Sequence, residues 1–306
     1  MTLQLIDNPP PWPNGARCAV CFAFDFDAES LLHLFFPDDA QRHVSFGANL
    51  RYGAQVAMPR IIKIWEHFNM RQTAFVPGWC VEKYPDVIRA LVNGGHEIGH
   101  HGWLHERINQ FSREEERTIL LRGIEAIEKV TGKPPVGYRA PSNAFSEHTL
   151  DLLLENGFKY DSSLGGHDIP YQMQGRSGQR MLQLPYDISS DDWAQFVHLD
   201  DAEHNMPIRA PERAFEVYRA DFDAAWKYGG FWTSVWHPFA SGRLARADAM
   251  INLIEYMIDK GDVWFAPLHE ISAHIDGLIA RGEWSPVVEH LPLCDGPEPQ
   301  IARPSR

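Results

Sequence analysis

Short strand-like runs and helix-like stretches take turns along most of the chain, and this alternation narrows the fold more than any other feature. The first apolar run, Arg17 to Phe24 (Cys18, Ala19, Val20, Cys21, Phe22, Ala23, Phe24), is unbroken, as expected of a strand buried on both faces. Helical spacing follows over 54–68, a strand over 72–76, a helix up to Asn93 stopped by Gly94-Gly95, and a short strand from His96 to Gly99. Ser112-Arg113-Glu114-Glu115 is a capping box opening a helix to about Val130. The pattern returns as strands at 136–139, 158–161, 181–184, 231–235 and 263–265, with helices at 146–156, 211–228 and 245–260. Such persistence favours an α/β fold of parallel strands closed into a (β/α) barrel. An open nucleotide-binding sheet fits less well, because no glycine-rich phosphate loop follows a strand. A single domain is expected over 1–306, with its core at about 17–279 and with 165–178 and 187–207 as long loops over one end.

A formal net charge of −13 with no basic run excludes nucleic acid as a natural partner, since such a field repels phosphates. No stretch of 18 apolar residues exists, so no membrane span is expected. The segment 1–15 carries Pro9, Pro10, Pro11 and Pro13 and lacks the basic start and apolar core of a secretory signal, which makes a cytoplasmic location the expectation. Cys18 and Cys21 fall on opposite faces of one strand, and neither Cys80 nor Cys294 has an obvious partner. Neither a disulfide nor cysteine-bound zinc is expected.

Residues with chemical potential gather where strands should end. The first strand runs into Asp25-Phe26-Asp27, whose carboxylates at i, i+2 share a face. One of the pair can ligate a cation while the other takes a proton from the water that the cation acidifies. His96, His100, His101 and His105 lie within ten residues, and His101 and His105 at i, i+4 can converge on one ion. His96-Glu97-Ile98-Gly99-His100 also matches the zinc-protease pattern with Glu97 as base, but that pattern needs a helix where the glycines argue for a strand. Arg139, before Ala140-Pro141, can hold a carboxylate such as Asp25 by a bidentate bond. His237, after an apolar strand and before Pro238, can act as general acid to a leaving amine. Asp191 and Asp192 can orient it, and Trp79, Trp103, Trp193 and Trp236 are near enough in sequence to wall a pocket.

In this order the motifs Asp25-Phe26-Asp27, His101-Gly102-Trp103-Leu104-His105, Arg139-Ala140-Pro141, Asp191-Asp192-Trp193 and Trp236-His237-Pro238 resemble those of the polysaccharide deacetylase family. The resemblance extends from about Arg17 to Ile279. It implies a distorted seven-stranded (β/α) barrel that hydrolyses an N-acyl carbon–nitrogen bond at a divalent metal, usually zinc. It implies Asp27, His101 and His105 as metal ligands and Asp25 as base. It further implies Arg139 as the clamp on Asp25, His237 as acid and Asp191 as the residue that tunes His237. A phenylalanine separates the aspartates, which resembles the branch holding a Helicobacter-type peptidoglycan deacetylase, cyclic imide hydrolases and a cofactor-free allantoinase. That branch implies a homo-oligomer, a tetramer or dimer, acting on an N-acetyl sugar or on a small amide or cyclic imide. Retention of the metal aspartate sets this chain apart from ring openers with little dependence on metal. A non-catalytic carbohydrate-binding barrel is the alternative from another class, disfavoured by the presence of both base and acid.

Overall fold

The computed structural model describes residues 3–199 and 207–293. Its strands are β1 (Cys18–Cys21), β2 (Phe24–Asp25), β3 (Thr73–Val76), β4 (Glu97–His100), β5 (Gly137–Tyr138), β6 (Tyr160–Asp161), β7 (Tyr171–Gln174), β8 (Arg180–Gln183), β9 (Phe231–Thr233), β10 (Val263–Phe265) and β11 (Val288–His290). β2, β3, β4, β5, β6 and β8 pair in parallel in that order. Beyond β8 the chain bridges Val235 through Asp191, and Trp236 bridges Phe24. With β1 running into β2 and β9 running on to Trp236, these bridges close a ring of seven staves, a distorted (β/α) barrel. β10 flanks β1 in parallel at its start.

The unbroken apolar character of the first strand is explained by what lies on its two faces. Cys18, Val20, Phe22, Phe24 and Phe26 join the core between barrel and helices, where Phe22 and Phe24 meet Trp236 edge-on. Ala19, Cys21 and Ala23 face the barrel interior with Phe75, Tyr160 and Leu182. β3 alternates likewise, Ala74 and Val76 outward and Phe75 inward. A Cβ on Gly99 would come within 2.5 Å of the Phe75 ring, so the absence of a side chain there leaves the interior to phenylalanine.

The helices follow the sequence signals closely. Ser112 and Glu115 form the capping box of Arg113–Thr131, which ends at Gly132 in the left-handed conformation. Pro85–Asn93 stops at Gly94, and Pro211–Tyr228 and Leu244–Lys260 cover the barrel where helical spacing predicts them. The expectation of an irregular loop over 165–178 is corrected: β7 lies within it, antiparallel to β8 across a turn at Gly175–Gly178, with β11 added on its other edge. Burial alternating at Tyr171 and Met173 drives the pairing, a period-two pattern four residues long. The expected loop 187–207 carries a turn at Ile188–Ser190 and a helical turn at Trp193–Phe196; residues 200–206 of it lie outside the described residues. Helices at Ser30–Phe35, Val44–Tyr52 and Leu268–Arg281 add to those predicted. Cys18, Cys21 and Cys80 are free thiols, while Cys294 lies outside the described residues. Among the described residues no helix is long and apolar enough to cross a membrane.

Candidate active site

Each strand hands its inward register to the loop beyond it. Residues 19, 21 and 23 face the interior, so Asp25 and Asp27, two and four positions further, project over the same end. The same parity delivers His101 beyond Gly99, Arg139 beyond Gly137, and Val235 and His237 beyond Thr233. His100, one step out of register, points outward and is fully satisfied: its Nδ1 accepts from the Gly102 N–H (3.1 Å) and its Nε2–H donates to the Leu120 carbonyl (3.0 Å). Glu106 accepts from the N–H groups of Trp103 and Leu104, which fixes the turn between His101 and His105. His105 itself sits at φ +63°, an uncommon conformation for a side-chain-bearing residue.

Asp27, His101 and His105 bring one ligand atom each to within 4.8 Å of one another. The Nε2 atoms of His101 and His105 lie 3.5 Å from Oδ1 and Oδ2 of Asp27. His101 donates from Nδ1–H to the Arg139 carbonyl at 2.7 Å, so its Nε2 presents a lone pair to the aspartate. Asp27 is fully buried, and among the described residues neither of its carboxylate oxygens has a hydrogen-bond partner. A buried, unpaired carboxylate is costly, and burial accordingly raises Asp27 to about 7. Burial also lowers His101 to about 3 and His105 well below the usual range, leaving both imidazoles neutral and able to ligate. Cation–ligand bonds of about 2.0–2.1 Å put tetrahedral ligands roughly 3.3 Å apart, so these separations fit a divalent cation such as zinc.

Asp25 stands beside this group. Its Oδ1 accepts from Arg139 Nη1 at 2.8 Å, and its Oδ2 is 3.8 Å from His101 Nε2. Arg139 is fully buried and held on its far side, with Nε donating to the Ser162 carbonyl and Nη2 to the Ser162 hydroxyl. Ser163 accepts from the Ala140 N–H, and its hydroxyl and N–H donate to Asp161. Sequence reasoning missed this Asp161-Ser162-Ser163 cradle. Its signal was two small hydroxyl residues directly after a buried strand.

One assignment is corrected. Asp192, not Asp191, holds His237: Asp192 Oδ1 lies 2.6 Å from Nδ1, and its Oδ2 accepts from the N–H groups of His237 and Ser241. Asp191 instead accepts from the Trp193 N–H, which turns its carboxylate toward the cavity, where it reaches His237 only through its field. The cause is the bridge to Val235, which rotates consecutive residues to opposite sides. Burial lowers His237, but Asp192 and the neighbouring carboxylates outweigh it and raise the imidazole to about 10. Its Nε2 points back toward Asp27 Oδ2, 3.4 Å away.

The zinc-protease pattern is also overturned. Glu97 begins a strand rather than lying on a helix, and it accepts from Tyr160 and Thr73 hydroxyls and from the His269 N–H. Of the four tryptophans, Trp193 alone lines the catalytic cavity; Trp236 packs in the outer core, and Trp103 lies under the Arg122 guanidinium.

The cavity measures about 340 Å³. Leu31, Leu34, Phe35 and Trp193 form an apolar wall, while Arg107, Ser142 and Asn143 contribute polar groups.

Comparison with known proteins bears on the family and the fold. The family model for polysaccharide deacetylase matches residues 46–160. A peptidoglycan deacetylase of Helicobacter pylori is 34% identical over 176 residues, covering 57% of this chain and 58% of that protein, so the match spans little more than half of its length. A crystal structure from Mycobacterium smegmatis assigned to the polysaccharide deacetylases superposes with a TM-score of 0.85 at 38% identity, covering 99% of this chain and 100% of that one. The crystal structure of an allantoinase gives 0.76 at 26% identity over 88% of this chain and 94% of its own. The chain belongs to the polysaccharide deacetylase family, and so to the enzymes that hydrolyse carbon–nitrogen amide bonds.

Proposed function

We propose that this chain is a single-domain, metal-dependent amide hydrolase in which Asp27, His101 and His105 hold a divalent cation, zinc by preference. The observation that carries this reading is the pair of buried Asp27 oxygens without partners, facing two neutral imidazoles. A cation bound there would lower the pKa of water and polarise an amide carbonyl. Asp25, held in place by Arg139, takes the proton of the attacking water. His237, protonated and oriented by Asp192, gives a proton from Nε2 to the departing nitrogen. The apolar wall excludes bulk water and strengthens these charge interactions.

The substrate is an N-acetylated sugar or a small amide or cyclic imide. The cavity of about 340 Å³ with one apolar wall and the likeness to an allantoinase favour the compact ring substrates. Chelation followed by zinc restoration, with assays on N-acetylglucosamine oligomers, succinimide and hydantoin, tests both levels. Activity lost on chelation and regained with zinc supports the mechanism, equal activity in both states refutes it, and the substrate turned over names the class. The homo-oligomer that the resemblance implies is read from light scattering on the same preparation.

A further inference from the structure

We propose that Arg107, with Ser142 and Asn143, forms an anion subsite in the catalytic cavity, so that the substrate carries a carboxylate apart from the amide that is cut. This deepens the proposed function and rests on it. Arg107 is the one lysine or arginine among the described residues lining the cavity. Arg139 is committed to Asp25 and Ser162, whereas the guanidinium of Arg107 makes no ion pair or hydrogen bond among the described residues. Its backbone is nonetheless held in place, because the turn just before it is tied by Glu106 and Ile108 behind it is buried.

The neighbouring groups on this side have the same character. Ser142 and Asn143 are exposed residues of the cavity lining with consecutive left-handed φ angles of 52° and 55°. Neither is glycine, and a turn of this kind is retained where it must aim its side chains. The hydroxyl of Ser142 and the amide of Asn143 engage no other described side chain, which leaves them available as donors in the cavity that Arg107 also lines. In a chain of net charge −13, with Asp25, Asp27 and Asp191 lining the same cavity, an unpaired guanidinium has the opposite sign to its surroundings. A guanidinium fork matches a carboxylate in a bidentate fashion, and the nearby acids disfavour a more highly charged group. With Leu31, Leu34, Phe35 and Trp193 lining the same cavity, the subsite suits a compact amide or imide with one carboxylate.

Matched pairs test this on the zinc-restored full chain: N-acetylmuramic acid, N-acetyl-β-alanine and a carboxylated succinimide, each beside its own carboxamide. The acid of at least one pair should have the higher kcat/KM by about tenfold or more. The preference should collapse in Arg107→Ala and Arg107→Gln through KM and return in part in Arg107→Lys, and the responding pair names the scaffold. An unchanged acid-to-carboxamide ratio in the variants, or no preference for any acid in the parent protein, overturns the subsite. Absence of all turnover would count against the hydrolase reading instead. Calorimetric binding of the same pairs would then decide, an acid preference lost in Arg107→Ala supporting the subsite and equal binding refuting it.

Discussion

Two clusters of acids and polar side chains occupy opposite ends of the barrel, and they differ in whether their hydrogen bonds are complete. At the start of the strands Glu97 accepts from Tyr160, Thr73 and the His269 N–H, while the Thr73 hydroxyl accepts from the Leu268 N–H, so the acid ties β3, β4 and β6 to the helix Leu268–Arg281. At the end of the strands Asp27 is equally buried, and among the described residues neither of its oxygens accepts a hydrogen bond. Only Glu97 lies in histidine-rich sequence, and the histidine-glutamate pattern around it is the better-known motif. A satisfied acid holds elements together, whereas an unsatisfied one is maintained against its own desolvation and marks the place for a ligand.

The sharpest test of that contrast sets Asp27→Asn against Glu97→Gln. Asp27→Asn should lower metal affinity by more than about 100-fold, the upper range for losing a partner that only supports a ligand, and remove activity with it. Metal-free Asp27→Asn should melt close to the metal-free parent at pH 8, because removing a costly buried carboxylate is offset by losing its attraction to the His237 imidazolium 3.4 Å away. Glu97→Gln should keep metal stoichiometry but lose about 1–3 kcal/mol of stability in denaturant titration. The reverse assignment of losses would break the contrast.

Next in size is the comparison of Asp192→Asn with Asp191→Asn. Loss of Asp192 should reduce kcat on the order of 10- to 100-fold and move the alkaline limb of the pH–rate profile downward. The sign follows from His237, which burial lowers and Asp192 raises: without Asp192 the imidazole sheds its proton at lower pH. Asp191→Asn should shift the limb in the same direction by less. Ser163→Ala should cost about 1 kcal/mol of stability and a few-fold in kcat, since it frees the Ala140 N–H beside Arg139.

The smallest effect concerns Asp161, raised by burial to about 7 against the donors of Ser163. Between its ordinary value of 3.8 and about 7, the folded chain holds a proton that the unfolded chain has shed. Its contribution to stability is therefore complete below the unfolded value and is lost as pH rises through about 7. Asp161→Asn should flatten the melting temperature against pH in that window, and an unchanged slope would show that the site ionises freely.

Much of this was legible from residue types alone. The order of strands and helices, the stop at Gly94 and the capping box at Ser112 depend on interactions within a few residues, which a single chain displays directly. Asp25, Asp27, His101, His105, Arg139 and His237 were legible for a related reason: chemistry-bearing residues sat immediately after strand-like runs, and parallel strands of a barrel end on one face. The helix Leu268–Arg281 was readable too, in Leu268, Ile271, Ile275 and Leu278, yet was not among the elements predicted. β7 and β11 were harder, because each is short and gains its stability only by pairing with a distant strand.

What the linear order determined by itself was the class of fold and the cast of the site, because local backbone preference and the two-residue period of a strand are written in neighbouring residues. Only the folded chain decided which of two adjacent aspartates supports His237, that Ser162 and Ser163 hold the Arg139 turn, and that Arg107 lines the same cavity as Asp25 and Asp27. These outcomes depend on which atoms meet across hundreds of residues, and on whether a buried group finds a partner there.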